Sequence, residues 1–318
     1  MSLTNTKQAV LFGGTGFVGR NLTKSLTSNG WSVNVVTRRP HRHRDLLVMP
    51  TLKLKQIEEF TPESVAPLME EGDTVVNLIG ILNESKRNSF ERIHTQMPKS
   101  IAEACIEKQV RRFVHVSSLG AHSDAPSAYL RSKGKAEEEI QKAVSQGLDA
   151  IVLRPSVIFG RHDSFTNQFA NFLKMAFGFF LVVSPESKLQ PVYVRDVVHC
   201  IVHAMNDRET SRNSCDLAGP DVYTMKELIL IIDRMIGRRH KMIPLSASLS
   251  RLLATFLQFA PGKPLTPDNL LSLQVENTID QEFPDPYGIQ PNRFEDVAEN
   301  WLNPQLDPFD IYRAKAGR

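Results

Sequence analysis

The chain has few cysteines. Its 318 residues include three, Cys105, Cys200 and Cys215, and no two of them form a Cys-x-x-Cys pair. An odd and scattered set of this kind excludes a disulfide framework and a cysteine-based metal site, and it is typical of a reducing compartment. We therefore expect a cytoplasmic protein.

Long hydrophobic runs and an excess of one charge are also missing. The longest apolar run, at 175–183, has nine residues and is too short to span a bilayer. The net charge of +3, from 38 basic and 35 acidic residues, does not indicate a nucleic-acid partner. The first apolar strand pattern begins close to residue 1, so we expect no signal peptide. What remains is a globular chain that can bury a sizeable core.

A glycine-rich turn stands near the start of the sequence. An apolar run at 9–12 leads into Gly-Gly-Thr-Gly-Phe-Val-Gly at 13–19, and a helical apolar pattern follows. The glycines fit G-x-G-x-x-G from Gly14 or G-x-x-G-x-x-G from Gly13. Glycines allow a sharp turn and a close approach to a pyrophosphate, while the helix start attracts the anion. The strand–turn–helix context therefore predicts a dinucleotide site. The candidate cofactor-binding residues at this turn are Gly13, Thr15, Gly16, Phe17, Val18 and Gly19.

Strand and helix patterns alternate over the first 155 residues. The strand-like runs lie at 9–12, 33–37, 52–57, 74–81, 112–117 and 150–153. Such alternation predicts an α/β fold with a doubly wound parallel Rossmann sheet. After Gly160 the pattern becomes irregular. We therefore place a nucleotide-binding domain at 1–160, with a return segment at about 190–218, and a smaller substrate or partner domain at 161–189 and 219–318.

Four side chains form a candidate catalytic set. Residues 129–133, Tyr-Leu-Arg-Ser-Lys, place Tyr129 and Lys133 on one face of a predicted helix. A cation beside a phenol lowers the pKa of the phenol, which can then exchange a proton with a substrate oxygen near neutral pH. Ser117 and Ser118 end the fifth strand, at the edge where open α/β sheets bind ligands, and either serine can hold that oxygen. A surface helix with a tyrosine at its start is the plainer interpretation, but the order of the motifs favours the functional one.

The residues after the second strand favour NADP(H) over NAD(H). An NAD site has an acidic residue there, about 20 residues past the glycine turn, to bind the ribose 2′-hydroxyl. This chain has Arg38 and Arg39 at that place and no acidic residue before Asp45. Guanidinium groups pair well with a 2′-phosphate. We predict NADP(H), with NAD(H) as the alternative; a solvated basic loop is the non-functional interpretation.

One pair of histidines has the spacing of metal ligands. His199 and His203 are four residues apart on a predicted helix. The glutamate of H-E-x-x-H is missing and no third ligand is evident. We therefore predict no metal site.

Together these motifs resemble the short-chain dehydrogenase/reductase superfamily, in its extended or atypical, NAD-dependent epimerase/dehydratase-like branch. Further matching segments are 76–80, 153–160, 191–196 and 216–220. The resemblance implies that Gly80 lies beneath the cofactor and Pro155 lines its nicotinamide end. It also implies that Tyr129 and Lys133 contact the cofactor. Where the family often has an active-site asparagine, this chain has His94.

A narrower resemblance links the chain to the nucleotide-binding accessory subunit of respiratory complex I and its bacterial relatives. It rests on the segments 115–121, 129–133, 155–161 and 260–266. Two functions follow. The first is an NADP(H)-dependent oxidoreductase or epimerase/reductase that acts on an unidentified carbonyl or hydroxyl substrate. The alternative is a nucleotide-bound, non-catalytic accessory or assembly protein of complex I or a quinone pathway, peripheral at the inner face of a membrane. The sequence leaves the oligomeric state open.

Overall fold

The computed structural model describes residues 7–207, 214–280 and 288–303. The chain forms two compact units, Met1–Pro155 with Val197–Asp216, and Ser156–Asp196 with Leu217–Arg318. Residues 156–160 and 190–196 belong to the second unit, whereas the sequence analysis assigned them to the nucleotide-binding domain. Within the described ranges, no helix is both long enough and apolar enough to cross a membrane.

The secondary structure follows the alternation of the sequence. In chain order the strands are β1 (Gln8–Phe12), β2 (Ser32–Thr37), β3 (Leu52–Gln56), β4 (Thr74–Asn77), β5 (Arg112–Val116), β6 (Ala150–Pro155), β7 (Ile158–Phe159), β8 (Phe179–Val182), β9 (Lys188–Leu189), β10 (Val192–Tyr193), β11 (Ser214–Leu217), β12 (Tyr223–Thr224) and β13 (Lys241–Pro244). The α-helices are α1 (Phe17–Ser28), α2 (Pro62–Val65), α3 (Met97–Glu107), α4 (Ala128–Ser145), α5 (Thr166–Met175), α6 (Val194–Asn206), α7 (Met225–Met235), α8 (Ala247–Leu257), α9 (Pro267–Ser272) and α10 (Phe294–Leu302). A π-helical segment, Glu91–Gln96, leads directly into α3.

Seven strands form one sheet, in the order β11-β6-β5-β4-β1-β2-β3. The pairs from β3 through β2, β1, β4 and β5 to β6 are all parallel. The predicted doubly wound parallel sheet is therefore confirmed. The strand order reverses between β1 and β4, and open sheets of this kind bind ligands at the carboxyl ends of the strands beside such a reversal.

The central strands are apolar because both of their faces are covered. Ala9–Phe12 of β1 and Val75 and Val76 of β4 have no measurable exposure, as expected for parallel strands between two layers of helices. β4 ends at Asn77, four residues earlier than predicted. The Asn77 side chain accepts a hydrogen bond from the backbone N–H of Ile79 at 3.1 Å, which turns the chain out of the sheet. The segment 78–81 therefore leaves β4 beside the glycine turn.

The second unit has its own apolar core. The rings of Phe159 and Phe294 pack edge to face, with centroids 4.9 Å apart. Helix α7 begins with a capping box in which Thr224 and Glu227 satisfy each other's backbone N–H groups. Strand β8 pairs in parallel with β13, and β13 leads into α8.

Candidate functional site

The glycine turn joins β1 to α1. Gly13 has a positive φ of 82°, which glycine adopts without steric cost, and its carbonyl accepts the N–H of Gly16 at 3.0 Å. Helix α1 begins at Phe17, and no side chain in the described part of the protein caps its first N–H groups. Thr15, Phe17 and Val18 are half-buried around the turn. Uncapped N–H groups at a helix start fit an anionic group such as a pyrophosphate.

The turn tolerates only glycine at Gly19. A Cβ there would lie 2.3 Å from the carbonyl oxygen of Gly13 and 2.6 Å from the Cα of Gly14. Both neighbours are backbone atoms, so Gly19→Ala must open the turn, a strain that typically costs about 1–3 kcal/mol. We expect a lower unfolding temperature and a loss of NADPH affinity of roughly tenfold or more, measured by thermal unfolding and by fluorescence titration.

The matched control is Gly30→Ala. Gly30 also has a positive φ, of 77°, but no atom lies within 4 Å of a Cβ placed there. This variant should lose some stability and keep the NADPH affinity of the wild type. If Gly19→Ala also keeps that affinity, the turn is not the nucleotide site.

Two arginines follow the end of β2, next to β1 in the sheet. Arg38 and Arg39 are both exposed, and Arg38 donates a long hydrogen bond of 3.5 Å to Asn88. Asp45, the first acidic residue after β2, pairs with Arg20 at 2.5 Å, and this hydrogen bond lowers its pKa. The surface beside the glycine turn therefore carries two exposed guanidinium groups and a carboxylate that already has a partner.

The two candidate serines have different partners. The hydroxyl of Ser117 donates to Glu137 on α4, whose other carboxylate oxygen accepts a hydrogen bond from Arg154 at 2.8 Å. Ser118 hydrogen-bonds the side chain of Tyr129. Of the two serines the sequence left open, Ser118 is the one that the structure brings to the tyrosine.

Lys133 is buried one helical turn beyond Tyr129. Its ammonium group donates to the carbonyl oxygen of Val116 at 3.1 Å, and a Cβ on Gly80 would lie 3.6 Å from its Nζ. Burial lowers the pKa of Lys133 to about 8, and Glu137 opposes this shift.

Pro155 is the last residue of β6. Its carbonyl oxygen accepts a hydrogen bond from the N–H of Leu119 at 2.9 Å, which holds the residue after Ser118 beside that strand. Gly80 and Pro155 thus lie at the same sheet edge as the catalytic candidates.

One expectation about Tyr129 needs correction. The sequence analysis expected the cation of Lys133 to lower the pKa of the phenol. In the structure, burial raises the pKa of Tyr129, and the hydrogen bond from Ser118 is the influence that lowers it. The phenol is therefore protonated at neutral pH and is set up to donate a proton.

Both ring nitrogens of His94, which the resemblance predicts to replace the family's asparagine, form hydrogen bonds. Its Nε2 accepts the backbone N–H of Ile81 at 2.9 Å, so Nδ1 carries the proton and donates to Ser132 at 2.9 Å. The Ser132 hydroxyl in turn donates to the carbonyl oxygen of Tyr129 at 2.7 Å. Burial lowers the pKa of His94 to about 2. This neutral ring therefore positions the start of α4 against the segment after β4, and it does not titrate near neutral pH.

The buried lysine makes stability depend on pH. A folded-state pKa of about 8 lies below the ordinary lysine value of about 10.4, so between these values the unfolded chain binds the extra proton. Stability should therefore rise with pH from about 8 to about 10 as the cost of burying the charge disappears. In urea unfolding, the midpoint of wild type should rise relative to that of Lys133→Met over that range. A difference independent of pH would contradict this account of Lys133.

Some functional neighbours were not found from the sequence. Ser132 lies between Tyr129 and Lys133 on α4, and Glu137 lies four residues after Lys133, a spacing that places it on the same helix face. Arg154 reaches Glu137 from a different strand, so no local pattern marks it. Among the residues that the structure describes, no three metal-ligating side chains lie together.

Comparison with known proteins agrees with this geometry. The model of the NAD dependent epimerase/dehydratase family matches residues 9–217, from β1 to β11. The chain belongs to this family. The resemblance expected from the motifs is thereby confirmed, and so is the nucleotide-binding Rossmann fold that carries it.

Named relatives show how far the similarity extends. The mouse protein NADH dehydrogenase [ubiquinone] 1 alpha subcomplex subunit 9, mitochondrial, is 30% identical over 298 residues, covering 90% of this chain and 77% of its own length. The ceramide reductase of Caulobacter vibrioides is 27% identical over 237 residues, 73% of this chain and 72% of its own. A crystal structure of a nucleoside-diphosphate-sugar epimerase from Staphylococcus aureus superposes with a TM-score of 0.70 at 17% identity, over 91% of this chain and 98% of that one.

Proposed function

We propose that this protein is an NADP(H)-dependent oxidoreductase that uses Ser118, Tyr129 and Lys133 on a carbonyl or hydroxyl group. The observation that carries the proposal is the buried ammonium of Lys133, held by the carbonyl oxygen of Val116 at the end of β5, one helical turn from Tyr129, whose pKa the Ser118 hydroxyl lowers. A protein that only stores a nucleotide has no need of this arrangement. The family assignment supports a nicotinamide dinucleotide as the cofactor.

Each side chain has a defined role in this proposal. A bound nicotinamide supplies or accepts the hydride. Tyr129, kept protonated by burial, donates its proton to the carbonyl oxygen during reduction, and Ser118 donates a hydrogen bond to the same oxygen. Lys133 stabilises the phenolate that the proton transfer leaves. The protonated resting phenol favours reduction of a carbonyl over oxidation of an alcohol at neutral pH.

The two arginines after β2 support NADP(H) as the preferred nucleotide. Arg38 and Arg39 are exposed, and the neighbouring Asp45 is paired with Arg20. A 2′-phosphate gains charge-assisted hydrogen bonds from guanidinium groups, whereas a 2′-hydroxyl gains little there. NAD(H) would bind the same turn without this contribution.

The relatives suggest where a substrate search should begin. The Caulobacter relative is named a ceramide reductase, which supports a ketone on a long-chain lipid as the first substrate class to test. Purified protein is mixed with NADPH and a panel of lipid ketones and small ketones, and NADPH consumption and the product alcohol are both measured. We expect turnover of one lipid ketone. The oxidoreductase proposal fails if no ketone or alcohol in either direction is converted by protein that binds NADPH.

A second function is favoured by one observation. The similarity to the mouse respiratory subunit covers 90% of this chain, which supports a nucleotide-bound accessory protein of complex I or a quinone pathway, peripheral to a membrane. In that function the nucleotide stabilises the fold and Tyr129 transfers no proton. The two functions differ in how fast the nucleotide leaves, because an enzyme must release its product nucleotide in every turnover.

A further inference from the structure

Helix α8 has apolar side chains on its inward face, where Leu253 and Leu257 are half-buried beside Ser250 and Ala254, and also on its outward face. Ser250 and Ala254, four residues apart, are buried, and Ala254 has no exposure. Leu249, Leu252 and Phe256 are exposed, Phe256 to 68%. A surface helix normally has one apolar stripe, which faces the core, and polar residues on its outward face. The outward stripe of α8 therefore has no role in packing against the described residues of its own unit.

A second exposed apolar set lies on β8 and the residues just before it. Met175, Phe177, Phe179 and Leu181 are all exposed, Phe177 to 90%. Strand β8 pairs with β13, and the backbone N–H of Leu245, between β13 and α8, bonds to Val182 at 2.9 Å. Both sets therefore belong to one continuous part of the second unit. We define the apolar face by its residues, which are Met175, Phe177, Phe179, Leu181, Leu249, Leu252, Phe256 and Phe259.

Within the two segments that carry this face, the charged side chains are all of one sign. The segment 237–267 contains five basic residues and no Asp or Glu, and 164–185 contains Lys174 and no Asp or Glu. All six cations are exposed. They are Lys174, Arg238, Arg239, Lys241, Arg251 and Lys263. Large exposed apolar side chains with a cationic surround are the pattern of a segment that lies in the headgroup layer of an anionic bilayer.

We propose that the apolar face docks this protein on an anionic lipid bilayer. The phenylalanines and leucines enter the boundary between headgroups and acyl chains, and the six cations contact lipid phosphates. A second copy of the chain fits the face poorly, because a two-fold contact would bring like charges together. This inference goes beyond the proposed function and does not depend on whether catalysis occurs.

The test is flotation of the full-length protein with lipid vesicles. We expect binding to phosphatidylcholine vesicles that contain phosphatidylglycerol, and binding roughly tenfold weaker or more to phosphatidylcholine alone and at high salt. Phe256→Ser with Phe259→Ser should reduce binding to the mixed vesicles by about tenfold or more. Arg238→Gln with Arg239→Gln should reduce the preference for anionic lipid.

The control, Val48→Ser with Val222→Ser, removes exposed valines outside the face and should bind like wild type.

Three outcomes would overturn the proposal. The first is no flotation of well-folded protein with either vesicle. The second is a wild-type dimer in light scattering that Phe256→Ser with Phe259→Ser converts to a monomer, since a second copy would then cover the face. The third is binding that requires deletion of residues 304–318, because the chain's own terminus would then be the occupant. Circular dichroism of each variant ensures that lost binding is not lost folding.

Discussion

Replacing Tyr129 with phenylalanine is expected to lower kcat by roughly a hundredfold to ten-thousandfold, the usual contribution of a positioned general acid. The substitution removes the only proton that the proposal delivers to the substrate oxygen. It keeps the ring, which packs edge to face on His94 with centroids 5.3 Å apart. NADPH affinity should therefore change little. The measurement is kcat with the best lipid ketone, together with an NADPH titration of the same preparation.

The control for that variant is Tyr223→Phe. Tyr223 is buried, and its hydroxyl donates to Asp221 at 3.4 Å, so this variant removes a tyrosine hydroxyl from the second unit instead of from the candidate site. Its kcat should match wild type.

In the same assay, Ser118→Ala should lower kcat. Ser117→Ala should mainly lower stability, because it removes the hydrogen bond to Glu137. A Tyr129→Phe protein with wild-type kcat would exclude proton transfer by this residue.

Replacing both Arg38 and Arg39 with glutamine is expected to weaken NADPH binding by about a hundredfold, which corresponds to roughly 2.7 kcal/mol. Each lost charge-assisted hydrogen bond to a phosphate accounts for about half of this. NADH, which lacks the 2′-phosphate, should lose no more than about threefold, since only general electrostatic attraction changes. Fluorescence titrations with both nucleotides give the two dissociation constants.

The matched control lies in the 3-10 helical segment Pro40–Val48, which directly follows these two arginines. Arg42→Gln with Arg44→Gln removes the same charge a few residues further along and should leave the ratio of NADPH to NADH affinity unchanged. If the Arg38 and Arg39 double variant weakens the binding of NADPH and of NADH equally, these residues do not bind the 2′-phosphate. If the control changes the ratio as well, the selection comes from the total charge of this region.

The features predicted from the sequence are those encoded within one segment. The glycine turn, the apolar central strands and the Tyr129–Lys133 spacing each depend on neighbours in the chain, so their patterns predicted the strand–turn–helix and the parallel sheet. The early end of β4 depends on the hydrogen bond that the Asn77 side chain accepts from the nearby backbone. The mostly apolar run at 74–81 continues past this point, so the sequence pattern does not indicate where the strand ends. The choice between Ser117 and Ser118 depends on Glu137 and Arg154, which come from a helix and a different strand.

Two further features depend on packing that no local pattern reports. The neutral state of His94 follows from its burial, and its tautomer follows from hydrogen bonds to two separate segments. The apolar residues at 249–257 have helical spacing in the sequence, and such a stripe most often faces a core. The structure shows that Leu253 and Leu257 are half-buried beside Ser250 and Ala254, whereas Leu249, Leu252 and Phe256 are exposed.

The rate at which bound NADPH leaves the protein tests the central claim most directly. The protein is loaded with NADPH, excess NADP⁺ or NAD⁺ is added as a chase, and the nucleotide fluorescence is followed. The account predicts release on the order of 1 per second or faster, as ordinary turnover requires. Release over hours would contradict the oxidoreductase and support a nucleotide held as a structural part of an accessory protein.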